Sequence, residues 1–198
     1  MPSSQPGGGS NPAKLAFRDQ LTTARNRLSV AELGLFARAV AGHLLATEEV
    51  RRAATVAAYV SIGAEPGTSW LIDGLVAAGK RVVLPVLLPD GDLDWAAYDG
   101  EAGLVPARHG LLEPTSLRLG VDAVGTADLV VVPGLAVSPT GLRLGRGGGS
   151  YDRALGRVPV GTFTCVVLYD DEVDRPVPTE PHDRSVTAAV TPSGLRRF

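Results

Sequence analysis

The sequence predicts an α/β fold: a single domain built on a mostly parallel open sheet, with helices on both faces in a Rossmann-like layering. Three observations carry that expectation. Leu129–Pro133 reads LVVVP, a continuous apolar run of the kind a strand shows when both of its faces are covered. Residues 53–61 (AATVAAYVS), 69–78 and 80–84 read as strand, helix and strand, a βαβ unit, and such units build parallel sheets. A glycine-rich stretch then joins the Leu129 strand to the start of another helix, the position beyond a strand's carboxyl end where open sheets of this class hold ligands.

Composition sets the outer limits. With 198 residues, 44% of them apolar, the chain is long enough for one domain with a sizeable core. A formal charge of −2 argues against a general nucleic-acid surface. Cys165 is the only cysteine, so an internal disulfide is excluded and a reducing compartment fits. No apolar run reaches transmembrane length, and the first residues lack the apolar core of a signal peptide. The expectation is a monomeric cytoplasmic protein acting on small molecules, with neither nucleic acid nor membrane as a partner.

Taken in order, residues 1–10 (MPSSQPGGGS) form a Pro/Gly/Ser tail expected to be disordered, leaving residues 11–198 for the domain. Asn11-Pro12 starts a helix well, asparagine as cap and proline at the first helical position, and the helix is expected to reach about Leu28. Lys14, Arg18 and Arg25 share one of its faces, either as a solvated basic stripe or as a set of phosphate contacts. Ser29-x-x-Glu32 is a capping box opening a second, packing helix to about Thr47; His43 lies beside its apolar stripe and reads as structural. Glu65 falls in the loop after the first strand, between Gly63 and Gly67, as a helix-dipole partner or a ligand group.

Residues 85–113 are less regular. Pro89-Asp90-Gly91-Asp92 reads as a turn, with a short strand over 93–98 after it. Trp70, Trp95 and Tyr98 are either core residues or stacking partners for a ring, and His109 reads as a surface-loop histidine. A helix is expected from Ser150 to about Gly156, a strand over 162–169, and a final strand over 185–190 followed by a short tail to Phe198.

The stretch from Gly141 to Arg153, GLRLGRGGGSYDR, has too few side chains to pack as ordinary structure. Glycines let backbone N–H groups approach a ligand closely, and arginines offer forked donors to phosphate oxygens. Together with a helix start at Ser150, Tyr151 and Asp152, the amides of Gly145, Gly147, Gly148 and Gly149 and the guanidinium groups of Arg143 and Arg146 suggest a polyphosphate site. The stretch is neither a Walker loop, which needs G-x-x-x-x-G-K-[ST], nor a dinucleotide fingerprint, whose third glycine would fall at Ser150. A flexible linker is the plain alternative. No zinc spacing and no G-x-S-x-G elbow is present.

This stretch resembles the signature of the 5-formyltetrahydrofolate cyclo-ligase family, roughly PG-[LV]-A-F-D-x-x-G-x-R-L-G-x-G-x-G-Y-Y-D-R. The chain matches at Pro133, Gly134, Leu135, Ala136, Gly141, Arg143, Leu144, Gly145, Gly147, Gly149, Tyr151, Asp152 and Arg153, and departs at Val137, Ser138 and Ser150. The motif K-x-x-x-R of the family's first helix matches Lys14 and Arg18, its glutamate and threonine after the first strand match Glu65-x-x-Thr68, and its P-x-E-x-H-D matches Pro178 to Asp183.

The resemblance implies ATP held by Lys14, Arg18, Gly145, Arg146, Gly147, Gly148, Gly149, Ser150, Tyr151 and Asp152. It implies Mg²⁺ on Asp152 and Asp183, and a reduced folate at Glu65 and Tyr151. The implied reaction turns 5-formyltetrahydrofolate and ATP into 5,10-methenyltetrahydrofolate, ADP and phosphate, with Arg143 and Arg146 neutralising charge on the transferred phosphoryl group. Two other classes are kept: a non-catalytic nucleotide- or folate-binding protein on the same fold, and a sugar-phosphate isomerase, for which no acid/base pair is evident.

Overall fold

The computed structural model describes residues 12–178, 180 and 183–198. The expected tail, the Asn11 cap and His182 lie outside the described residues.

The first helix, α1 (Pro12–Arg25), ends three residues short of Leu28 in a turn. Helix α2 (Val30–Leu45) starts at the Ser29 capping box, where Glu32 returns its side chain to the Ser29 amide at 2.8 Å. A short helix α3 (Glu48–Arg52), capped by Thr47, follows. Strand β1 (Thr55–Ala57) is shorter than the apolar run around it. After Ala58 the chain leaves its neighbours, and the Tyr59 carbonyl takes the Thr68 hydroxyl at 2.6 Å in place of a ladder bond. Helix α4 (Ser69–Ala77) leads to β2 (Arg81–Leu87), which outruns the expected end at Leu84 and pairs antiparallel with β3 (Leu93–Ala97).

Two small strands, β4 (Leu104–Pro106) and β5 (Leu112–Pro114), make a hairpin beside the sheet. Strand β6 (Leu129–Pro133) lies where the LVVVP run puts it. The segment after it is not an open loop: Ala136–Val137 (β7) and Arg143–Leu144 (β8) pair as a hairpin with Gly141 in its turn, ahead of the glycines from 145 to 149. Helix α5 (Ser150–Leu155) and strand β9 (Phe163–Val167) follow. The last strand begins later than expected, as β10 (Ala188–Thr191), and the supposed tail is an antiparallel edge strand, β11 (Gly194–Arg197).

These strands form a seven-stranded sheet in the order β11-β10-β9-β6-β1-β2-β3. The five inner strands are parallel and both edge strands antiparallel. Alternate residues serve opposite faces. Val56, Val82, Leu129, Val131, Cys165 and Val167 pack with Val40, Leu44, Leu71 and Leu75 of α2 and α4. Ala57, Val83, Val130, Val132 and Val166 pack on the other side with Ala154 and Leu155 of α5 and Val124 of a 3-10 turn. The α/β fold with helices on both faces is therefore the one the sequence predicts.

A third cluster matters for the site. Leu21 of α1, with Phe17 beside it, packs on Leu135, Ala136, Leu144 and Val177, so the first helix is held against the β7–β8 hairpin. The chain moves from β1 to β2 in one direction and from β6 through β9 to β10 in the other, so the strand order reverses between β1 and β6. A crevice at such a reversal, outside the carboxyl ends of the strands, is where open α/β sheets bind ligands.

Candidate active site

A cleft of about 730 Å³ opens at that reversal, bounded by Tyr59 and Val60 past the end of β1 and by Pro133 and Gly134 at the end of β6. The structure brings all the expected site residues to it: Lys14, Arg18, Glu65, Arg143, Arg146, Gly145, Gly147, Gly148, Gly149, Ser150, Tyr151, Asp152 and Asp183. They come from four separate parts of the chain.

The glycine-rich loop is shaped from both ends. Buried Ser138 accepts the amides of Thr140 (3.2 Å) and Leu142 (3.0 Å), closing the turn between β7 and β8 and setting the register of Arg143. Gly147 has φ +105° and Gly149 φ +68°, left-handed values that favour glycine. A Cβ on Gly147 would stand 3.3 Å from the Arg18 guanidinium, so the glycine keeps room for that side chain. Helix α5 has only six residues, so its dipole adds little, and an anion bound here would depend on loop amides and side-chain cations.

The four cations hold different positions. Arg18 donates from Nε to the Gly145 carbonyl at 2.9 Å, tying α1 to the loop. Arg143 is buried beneath it, donating to the Pro133 carbonyl and to Asp152 Oδ1, both at 3.0 Å. Arg146 stands 57% exposed at the cleft mouth and reaches Glu65 Oε1 at 3.1 Å. Lys14 is buried, its ammonium 2.7 Å from Glu180 Oε2 and 2.8 Å from Asp183 Oδ2. Burial alone would lower its pKa, but the hydrogen bonds to Asp183 and Glu180 outweigh this and hold it above the ordinary lysine value. The basic face of α1 is therefore not a solvated stripe, since Lys14 and Arg25 are both buried and paired.

Glu65 is fixed by its own loop, with Oε2 accepting the Ile62 amide at 2.9 Å. Thr68 locks the loop's base through reciprocal bonds with Ser61 at 3.0 and 3.1 Å. Among the described residues no three His, Cys, Asp or Glu side chains converge as a metal cage. Asp152 and Asp183 nonetheless both border the cleft on its cationic side. A pair of carboxylates without a cage suits magnesium, which takes one or two of them and fills the rest of its octahedron with phosphate oxygens and water.

The aromatic residues singled out by composition are elsewhere. Trp95 is fully buried in the core, Trp70 lies on the surface under Arg38, and neither these nor Tyr98 borders the cleft. Tyr59 and Tyr151 do, packed edge to face with centroids 6.4 Å apart. Tyr59 was missed because a tyrosine in an apolar strand reads as core; its one signal is position, just past the strand end at the reversal. His109 is exposed on the rim, in a left-handed conformation (φ +60°).

The model of the 5-formyltetrahydrofolate cyclo-ligase family matches residues 10–192 of this chain. The chain belongs to that family. It is 43% identical over 143 residues to the 5-formyltetrahydrofolate cyclo-ligase of Mycolicibacterium smegmatis, covering 70% of this chain and 73% of the relative. It is 37% identical over 147 residues to that of Escherichia coli K12, covering 70% and 78%. Among solved structures, 5,10-methenyltetrahydrofolate synthetase from Aquifex aeolicus superposes with a TM-score of 0.79 at 28% identity, covering 93% of this chain and 92% of that one.

The three departures from the cyclo-ligase signature each have a structural occupation. Val137 packs into the core under α5. Ser138 supplies the turn-closing acceptor that an aspartate there would also supply. Ser150 donates from Oγ to the Gly91 carbonyl at 2.5 Å, fastening the loop's far end to the turn between β2 and β3.

Proposed function

We propose that this chain catalyses the ATP- and Mg²⁺-dependent conversion of 5-formyltetrahydrofolate to 5,10-methenyltetrahydrofolate, releasing ADP and phosphate. One observation carries the reading. A single cleft is lined both by glycines with the cations Lys14, Arg18 and Arg146 and by Tyr59, Val60, Leu87 and Leu93 with the carboxylate of Glu65. The first set suits a polyphosphate and the second a flat, amino-bearing heterocycle.

An amide oxygen is a poor leaving group, so the formyl oxygen must first become a phosphate ester. It attacks the γ-phosphorus, the bond to ADP breaks, and the formyl carbon is left as a phosphorylated iminium. The neighbouring amine N–H of the folate then adds to that carbon, its proton is lost to the phosphate or to water, and phosphate departs. Little side-chain proton chemistry is needed; alignment and charge dispersal dominate. In this reading the amides of residues 145–149 cradle the phosphates, and Lys14, Arg18 and Arg146 offset their charge. Arg143 adds positive charge from beneath while holding Asp152 in place. Asp152 and Asp183 would hold Mg²⁺, which screens the phosphate oxygens when bound. Glu65 accepts from the amino-pyrimidine edge of the folate, with Tyr151 against its ring.

We further assign the catalytic domain to residues 11–198, and the working form to a cytoplasmic monomer with no nucleic-acid or membrane partner. The test is spectrophotometric: purified protein, Mg-ATP and 5-formyltetrahydrofolate, followed by the near-ultraviolet band of the methenyl product. Growth of that band that needs ATP and stops with EDTA is the expected result. A flat trace with both ligands bound would instead identify a non-catalytic binding protein.

A further inference from the structure

Five buried side chains among the described residues carry a polar atom with no hydrogen-bond partner: Arg25, Tyr59, Trp95, Arg143 and Arg175. Of these, only Tyr59 and Arg143 border the cleft. Arg143 already spends two of its nitrogens on Pro133 and Asp152, whereas the Tyr59 side chain makes no hydrogen bond at all. The residue is 3% exposed. An unpaired hydroxyl there is a cost that phenylalanine, of the same shape, would avoid.

The ring is held too firmly for the hydroxyl to be an accident of loose packing. Its backbone carbonyl is tied to Thr68 at 2.6 Å, and its ring is set edge-on against Tyr151. The charge nearest in effect is Glu65. Burial first, and then that carboxylate, push the phenol well above its ordinary pKa, so it stays protonated and remains a donor.

We propose that the Tyr59 hydroxyl is a specificity-determining contact of the folate subsite, donating a hydrogen bond to the carbonyl oxygen of the substrate's reduced pterin ring. This rests on the folate reading given above. The two side chains complement each other: Glu65 offers only acceptors and Tyr59 a donor, while the lactam edge of a pterin carries N–H donors beside a carbonyl acceptor. Sites built to hydrogen-bond a polar substrate atom reject analogues that lack it.

The experiment uses the full chain and the substitution Tyr59→Phe, with 5-formyltetrahydrofolate and a 2,4-diamino analogue in which an amino group replaces the ring carbonyl. The wild-type protein should bind the diamino analogue more weakly than the natural folate. In Y59F the KM for the folate should rise by roughly 3- to 10-fold, the scale of one neutral hydrogen bond. The KM for ATP should not move, and the preference over the analogue should shrink by the same factor. The free protein should melt at the same or a higher temperature, since an unpaired buried hydroxyl has gone. Wild-type affinity for the folate in Y59F, or undiminished preference over the analogue, would overturn the proposal. Failure of the wild-type protein to bind or turn over the folate would overturn the underlying reading instead, and is distinguishable because it appears before any substitution is made.

Discussion

Arg25 and Glu172 form a two-pronged ion pair, Nε to Oε1 at 2.6 Å and Nη2 to Oε2 at 2.7 Å, with both side chains buried. The same Arg25 Nη2 donates to the Gly134 carbonyl at 2.6 Å, and Glu172 accepts the Tyr169 amide at 2.9 Å. Tyr169 in turn reaches the Ala64 carbonyl at 3.1 Å. One connected network thus fastens both rims of the cleft, the segment after β6 and the loop bearing Glu65. Arg25→Met leaves a buried carboxylate unpaired and should cost about 3–5 kcal/mol of folding free energy. Urea unfolding checks this, and replacing both partners by apolar residues should recover most of the loss.

Arg146 and Glu65 make the opposite kind of pair, half in solvent, and one worth under about 1 kcal/mol to the fold. Arg146→Ala should therefore unfold within about 0.5 kcal/mol of wild type. Its turnover should fall by roughly 10²–10³, the usual loss for one preorganised donor to a developing anion. Steady-state kinetics beside a denaturation curve separates the two effects. An unchanged kcat would remove Arg146 from the phosphate site.

Two glycines, one in the β7–β8 turn and one in the loop after β8, should fail in different ways. At Gly141 (φ +80°) a Cβ would meet the Val186 carbonyl oxygen at 2.4 Å, a backbone atom that cannot yield cheaply. At Gly147 (φ +105°) it would meet only the end of Arg18. Gly141→Ala should lose at least about 1–3 kcal/mol of stability, the usual cost of a strained backbone. Gly147→Ala carries the positive-φ strain without the backbone clash, so it should lose less stability than Gly141→Ala, and it should raise the KM for ATP by at least about tenfold, by analogy with other misplaced positioning groups.

The fold was legible because its signals are local. The unbroken LVVVP run, the capping box at Ser29 and the strand-helix-strand order each fix one element without knowledge of the rest. The candidate site was legible through one long motif, broken at three positions, and three short ones elsewhere in the chain; the residues they implied line one cleft. What the sequence hid is long-range. The Arg25–Glu172 pair joins residues 147 apart, and Lys14 meets Glu180 and Asp183 across 166 and 169 positions. Strand β11 reads as a tail because four residues are too few to show alternation, and it becomes a strand only by pairing with β10.

Asp92 sets one pH dependence. Hydrogen bonds from Arg157 at 2.5 and 2.9 Å hold its carboxyl below the ordinary value of 3.8. A carboxyl depressed on folding adds stability that is complete above its unfolded pKa and is lost as pH falls through its folded one. Asp92→Asn should therefore lower stability at neutral pH and flatten its decline below about pH 4. Thermal midpoints measured across the acid range check both parts.

Cys165 sits on β9 in the middle of the sheet, fully buried, with its thiol pKa pushed far up by burial. A thiol reagent reaches it only when the sheet itself opens, so labelling of this one sulfur is a clock for global unfolding. Any ligand that binds the folded form alone should slow that clock by a factor of 1 + [L]/Kd. The chain thus carries an internal reporter of occupancy, one that would test ATP and folate as ligands separately and needs no turnover.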